Sequence, residues 1–292
     1  MSAKVYTVVE ARNLLGEGIV WDGVAEQVLW TDIHGKALWS YEPASGEALS
    51  RALPERLACF APLAGGRIAA GFVGGVRRYD PRSGVGSEFV PVEDDIPATR
   101  LNDGKLDRAG RLVFGTMDEG NGETQPIGAV WSWDGMRAPR KLFGGVIVTN
   151  SIAFSPEGDR MYFADSPTRT IWVFDYDVTT GEPSNRRVFA QTSGSYPDGS
   201  CVDADGCLWN AEWDGSCVTR YTPEGRIDRK IALPVSRPTC PAFGGPEQDV
   251  LYLTSARIGL DAVRLAEEPL AGSLFAVRPG VTGLEDARFA GE

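Results

Sequence analysis

Four oxygen-bearing side chains recur at a common interval in this sequence. Asn102 and Asn150 are 48 residues apart, Asn150 and Asp198 are 48 apart again, and Glu17 precedes Asn102 by 85, close to two such intervals. Two carboxylates and two amide oxygens form a hard donor set. Gathered at one point, they suit Ca2+, which takes such oxygens together with water, and other divalent ions enter similar sets. Asn and Asp also turn chains at strand starts. That accounts for any one of the four, but not for their shared interval. The stretch SYPDGSCVDADGCLWNAEWDG, residues 195–215, separates two uses of Asp-Gly. Asp205-Gly206 before CLW reads as a hairpin turn. Asp198-Gly199, after Pro197, cannot serve the same hairpin: it is either another turn or a site carboxylate, and the shared interval selects the carboxylate.

Elements of one kind must position these groups. Short apolar runs follow turn signals: QVLWTD, RIAAGF, RLVFGT, RMYFAD, CLWNAE and VLYLTS. They begin near Leu29, Ile68, Leu112, Met161, Leu208 and Leu251, at gaps of 39, 44, 49, 47 and 43 residues. Each is followed by an alternating segment such as ALWSYEPASGE or GVRRYDPRSGV, and preceded by another strand: GEGIVWD, CFAPLA, NDGKLD, NSIAFSP, DGSCVD and CPAFGG. This is strand patterning, not helix patterning. A period of roughly 40–50 residues with several strands per unit points to a β-propeller rather than a β-sandwich. The expectation is an all-β, six-bladed β-propeller with four-stranded blades around a central channel, one domain over residues 1–292. The first strand of each blade would line the channel and bring Glu17, Asn102, Asn150 and Asp198 to one mouth of it. KVYTVVE near the N-terminus is expected to pair into the last blade. Two long loops, 118–127 and 256–272, are expected to roof the site, the second with a short helix in LDAVRLAEE.

Composition narrows the function. Hydrophobic residues make up 42%, charged residues 24%, and the net charge is −11. That charge opposes nucleic acid and anionic membrane surfaces as partners. No run of about 18 apolar residues exists and no apolar h-region opens the chain, so a cytoplasmic protein is expected. The five cysteines, 59, 201, 207, 217 and 240, are odd in number and lack a paired CxxC pattern, and they read as reduced thiols. Cys59 and Cys240 stand where blades 2 and 6 place their ligand-equivalent residues, and are read as small buried hydrophobes. His34 is the only histidine. A His-rich zinc site is therefore disfavoured and a Ser-His-Asp triad could use His34 alone. His34 is read as an exposed turn histidine, with a catalytic or substrate-contacting role as the alternative, and Tyr196, just before Pro197-Asp198, as a pocket wall. No dinucleotide or phosphate-loop spacing is present.

The segments LLGEGIVWD, RLNDGKLDRAGRLVFGTM, TNSIAFSPEGDRMYFAD, YPDGSCVDADGCLWNAEW and TCPAFGGPEQDVLYLTSAR, in that order, resemble the motifs of the senescence-marker (regucalcin)/gluconolactonase family of sugar lactonases. The resemblance implies a six-bladed propeller with one divalent metal ion that hydrolyses a sugar lactone to the aldonic acid. Carried over by motif, Glu17, Asn150 and Asp198 resemble metal ligands, and Asp198 the general base. Arg100 and Asn102 resemble substrate contacts. Family members often carry an acidic pair after GTM, where this chain has Asp118-Glu119-Gly120, and Glu119 is the corresponding substrate-contact candidate. Ca2+ is the first expectation, with Zn2+, Mn2+, Mg2+ and Fe2+ as alternatives. The partner is a small-molecule sugar lactone, and the chain is expected to be a monomer or a weak homo-oligomer. The chemistry is coherent: a neutral lactone carbonyl becomes an oxyanion when water attacks, a divalent ion offsets that charge, and an adjacent carboxylate takes the proton. The rival readings are a hydrolase of other esters or phosphotriesters and a non-catalytic calcium-binding propeller. Arg100 beside Asn102 favours catalysis, since a calcium buffer requires no arginine there.

Overall fold

The computed structural model describes residues 4–120 and 124–291. It is built from antiparallel sheets whose strands follow one another in chain order. Blade 1 comprises Gly16–Asp22, Gln27–Asp32, Ala37–Glu42 and Glu47–Ala52. Blade 3 comprises Thr99–Leu106, Leu112–Asp118, Gly128–Trp133 and Arg140–Val146, and blade 4 Thr149–Phe154, Arg160–Asp165, Thr170–Asp177 and Glu182–Gln191. Blade 5 comprises Tyr196–Val202, Leu208–Trp213, Cys217–Tyr221 and Ile227–Ala232. Blade 2 has Leu57–Pro62, Ile68–Phe72 and Gly75–Asp80. Its outer position is split between Val85–Gly86 and Val90–Pro91, which pair with opposite ends of Gly75–Asp80. Blade 6 takes Pro238–Gly244, Val250–Ser255 and Leu274–Val277 from the C-terminal part of the chain. Its fourth strand is the N-terminal Tyr6–Val9, with Tyr6 opposite Ala276. The expected seam is thus present, and it covers the edge that Leu274–Val277 would otherwise expose. This order is the six-bladed β-propeller.

The chain forms two compact units, one of residues up to Ala52 with Thr192–Glu285, the other of Leu53–Gln191 with Asp286–Glu292. In the first unit the first strand of blade 6 lies beside those of blades 1 and 5. In the second, the first strand of blade 3 lies beside those of blades 2 and 4. Blade packing explains why the second strands read as unbroken apolar runs. Side chains alternate across a strand, and here both faces are covered. Leu112 and Phe114 join the core with Ala58, Cys59 and Ala69 of blade 2, while Val113 joins Ile152, Met161 and Phe163 of blade 4. Likewise Leu251 and Leu253 pack with Trp209 and Val218 of blade 5, and Val250 and Tyr252 with Ile19 and Trp30 of blade 1. The C-terminal DARFA segment forms no strand. It inserts Phe289, 2% exposed, against Trp133, with ring centroids 5.1 Å apart.

Candidate functional site

All six first strands carry a register irregularity, at corresponding places. It lies between Glu17 and Val20, Leu57 and Cys59, Leu101 and Gly104, Asn150 and Ala153, Pro197 and Ser200, and Pro238 and Pro241. A β-bulge re-aims side chains locally and is common beside functional sites. Glu17 and Asn150 immediately precede the irregularity, and Asn102 and Asp198 lie within it. In blades 1 and 4 the following residue is left-handed, Gly18 at φ 56° and Ser151 at φ 57°. Glycine accepts this conformation freely, whereas for serine it is uncommon. The shared interval of the sequence therefore marks a shared backbone device.

Four candidates form one hydrogen-bonded array within the second unit. Arg100 Nε donates to Glu119 Oε1 at 3.0 Å, and Arg100 Nη1 to Asn102 Oδ1 at 2.8 Å. Asn102 Nδ2 donates to Asn150 Oδ1 at 3.2 Å and to the Thr149 carbonyl at 2.9 Å. Asn150 Nδ2 donates to Ser166 Oγ at 2.8 Å. Arg100 and Asn150 are each only 6% exposed, while Asn102 is half-buried and Glu119 is exposed, so the array runs from the interior out to water. Arg56 completes it, gripping Glu119 with both terminal nitrogens at 2.5 and 2.8 Å. The hydrogen bond from Arg56 is the main reason that the Glu119 carboxyl lies below the usual range, with Arg100 adding to it against the opposing effect of burial. Neither Arg56 nor Ser166 stands in the repeated register, so spacing gave no signal for them.

The remaining candidates lie in the first unit. Glu17 and Asp198 begin the first strands of blades 1 and 5 and are 8% and 6% exposed. Glu17 Oε2 accepts from the Gly18 amide at 3.0 Å, and the Asp198 carbonyl accepts from Asn210 Nδ2 at 3.0 Å. Tyr196 is half-buried at the start of its strand, opposite Trp213. His34 lies in the turn after Gln27–Asp32 as expected, but half-buried rather than exposed. Gly206 is a turn glycine at φ 78°. Gly199 has another role: a Cβ there would stand 2.6 Å from Cys240 Sγ. Gly104 has the matching relation to Cys59 Sγ, at 2.7 Å. Both cysteines are thus buried packing residues, and burial pushes the Cys59 thiol up, helped by Asp103.

Nearby carboxylates have structural tasks. Asp103 is buried and accepts from the Gly104 and Ile152 amides, tying blade 3 to blade 4, and burial raises its pKa above the usual range despite those bonds. Asp118 accepts from the Gly120 and Gln125 amides and so holds both sides of the loop 118–127, of which residues 121–123 lie outside the described residues. The second long loop contains the helix Ala262–Glu267, capped by Asp261. Among the described residues there is no group of three or more His, Cys, Asp or Glu side chains able to hold a metal ion. Glu17 and Asp198, two deeply buried carboxylates, and Asn150, an oriented amide, each carry an oxygen of the kind a hard divalent cation takes. No helix among the described residues is long and apolar enough to cross a membrane.

Fold and strand-start chemistry together define a propeller that presents buried polar groups from the bulged starts of its first strands. The chain belongs to the SMP-30/gluconolactonase/LRE-like family, whose model matches residues 15–257. It is 40% identical to L-arabinolactonase of Azospirillum brasilense, over 97% of this chain and 94% of that one. It is 34% identical to 6-deoxy-6-sulfogluconolactonase of Pseudomonas putida over the full length of both. The crystal structure of the calcium-binding protein regucalcin from Agrobacterium tumefaciens superposes with a TM-score of 0.93 at 31% identity, covering 99% of this chain and 98% of that one.

Proposed function

We propose that the protein is a metal-dependent lactonase that opens a sugar lactone to its aldonic acid in sugar metabolism. Family membership across residues 15–257 carries the reading. Glu17, Asn150 and Asp198 would each supply an oxygen to one divalent ion, with Ca2+ the first choice. When bound, such an ion offsets the charge of the oxyanion and lowers the pKa of water. The chain's own groups do the rest. Asp198 accepts the proton of the attacking water. Arg100, Asn102 and Glu119 orient the sugar through hydroxyl hydrogen bonds, and Tyr196 walls the ring. Arg100 is itself oriented by Asn102 and Glu119, which reduces the ordering cost of binding.

Asp198→Asn keeps an oxygen donor and the shape but loses the charge. With metal at saturation it should lose roughly 10²-fold or more in kcat, the scale of a general base. Asp198→Ala should also lose metal affinity. Near wild-type turnover of Asp198→Asn would assign the base elsewhere. A second reading, calcium binding without catalysis, draws on the regucalcin likeness, and a fully inactive wild type that still binds Ca2+ would select it.

A further inference from the structure

Arg56 lies 44 residues before Arg100 and 63 before Glu119, outside every motif of the repeat. It directly precedes the first strand of blade 2, Leu57–Pro62, and its carbonyl accepts from the Val73 amide at 3.1 Å. Glu119 directly follows the second strand of blade 3, Leu112–Asp118, and its amide donates to the Ala98 carbonyl at 2.8 Å. The backbone thus fixes both ends of the Arg56–Glu119 pair, which spans two blades of one unit. The pair is a fork-to-fork contact, Nη1 on Oε1 at 2.5 Å and Nη2 on Oε2 at 2.8 Å. Such a contact sets the orientation of a carboxylate as well as its charge state.

This matters because the Glu119 side chain is 38% exposed, while Arg100 beneath it is 6% exposed. A carboxylate so placed swings freely unless held. A carboxylate has about four acceptor sites. The guanidinium groups of Arg56 and Arg100 fill three: two on Oε1 and one on Oε2. The remaining site is on Oε2, on the side away from Arg100. Two guanidiniums around one carboxylate also leave a net positive cluster, favourable to the carboxylate of an aldonate product.

We infer that Arg56 is a positioning residue for sugar recognition, holding Glu119 so that its Oε2 accepts a single lactone hydroxyl while Arg100 stays turned toward Asn102. This inference rests on the lactonase reading. The Arg56 guanidinium bonds Glu119 and no proposed metal ligand, and it acts through Glu119.

The test compares Arg56→Gln, Arg56→Lys, Glu119→Gln and the Arg56→Gln/Glu119→Gln double variant, each checked by thermal melting. Steady-state kinetics use the lactone the wild type hydrolyses best, and Ca2+ titration uses metal-stripped protein. Arg56→Gln should raise KM about tenfold, the scale of one lost charge-assisted contact, with kcat changed less than about twofold. Arg56→Lys, which keeps charge but not the fork, should fall between, at about threefold. The double variant should have the KM of Glu119→Gln alone, because Arg56 has nothing left to hold. Ca2+ affinity should stay within about twofold of wild type, as the contact lies three hydrogen bonds from Asn150. An unchanged KM in both Arg56 variants, additive effects in the double variant, or a tenfold loss of Ca2+ affinity each overturns the inference while leaving the lactonase reading intact. A wild type inactive on every sugar lactone overturns both, and is told apart because the failure is already present before any substitution.

Discussion

Gly199→Ala tests the link between blade packing and the proposed base. The added Cβ would lie 2.6 Å from Cys240 Sγ, 2.8 Å from its Cβ and 2.9 Å from its Cα. Carbon atoms in van der Waals contact settle near 3.5–4.0 Å, so the two first strands must part by about 1 Å. Because the Cys240 α-carbon belongs to the backbone, a rotamer change of that side chain alone cannot relieve the clash. Overpacking of this kind costs about 1–3 kcal/mol, which in a chain of this size lowers Tm by roughly 2–10 °C. Asp198 is the adjacent residue and moves with the strand. A displacement near 1 Å at a reacting group costs up to about 10²-fold. The expected outcome is a folded protein whose kcat has fallen about 10–100-fold, far more than its stability implies. Differential scanning calorimetry and lactone kinetics on one preparation read both. Adding Cys240→Ala removes the clash with Sγ but not the one with the backbone, and should restore stability in part. Wild-type Tm and kcat in Gly199→Ala would refute the packing argument.

Two further outcomes concern stability. Burial raises the pKa of Asp103, so its share of stability is present below the ordinary carboxylate value of about 3.9 and is lost as pH rises through its folded pKa. Urea unfolding of Asp103→Asn between acid and neutral pH should lack that decline, while carrying a near-uniform loss of about 1–3 kcal/mol because an amide cannot accept from both the Gly104 and Ile152 N–H groups. Phe289→Ala should destabilise by about 3–5 kcal/mol in urea titration, since it empties a fully packed site against Trp133; a loss under about 1 kcal/mol would make the C-terminal segment a passive tail.

The blades were legible because each is buried on both faces, so an apolar run and its turn recur wherever a second strand does, as at Leu112, Met161 and Leu251. The strand starts were legible for a related reason: a blade of near-constant length places Asn102, Asn150 and Asp198 at equal spacing. The bulges beside them were not, because a one-residue register change leaves no mark on apolar patterning. Asp198-Gly199 was half read. The carboxylate was singled out, but the glycine is required by Cys240 Sγ on a neighbouring strand 41 residues away, a proximity that no local rule contains. Arg56 was missed for the same reason. The segment PERLACF reads as a loop entering a strand, and its partner Glu119 is found only once blades 2 and 3 are side by side. The divided outer position of blade 2 was equally unreadable, since Val85–Gly86 and Val90–Pro91 are too short to show alternation.

The central claim, a divalent-metal sugar lactonase, is tested most directly by acid release from a panel of pentono- and hexono-lactones. Metal-stripped protein, protein reconstituted with Ca2+, Zn2+, Mn2+ or Mg2+, and a protein-free blank are compared at one pH. The account predicts that stripped protein matches the blank. At least one ion should restore turnover on at least one lactone, and Asp198→Ala with the same ion should stay at the blank. Full activity in the stripped protein, or none on any lactone with every ion, would contradict it.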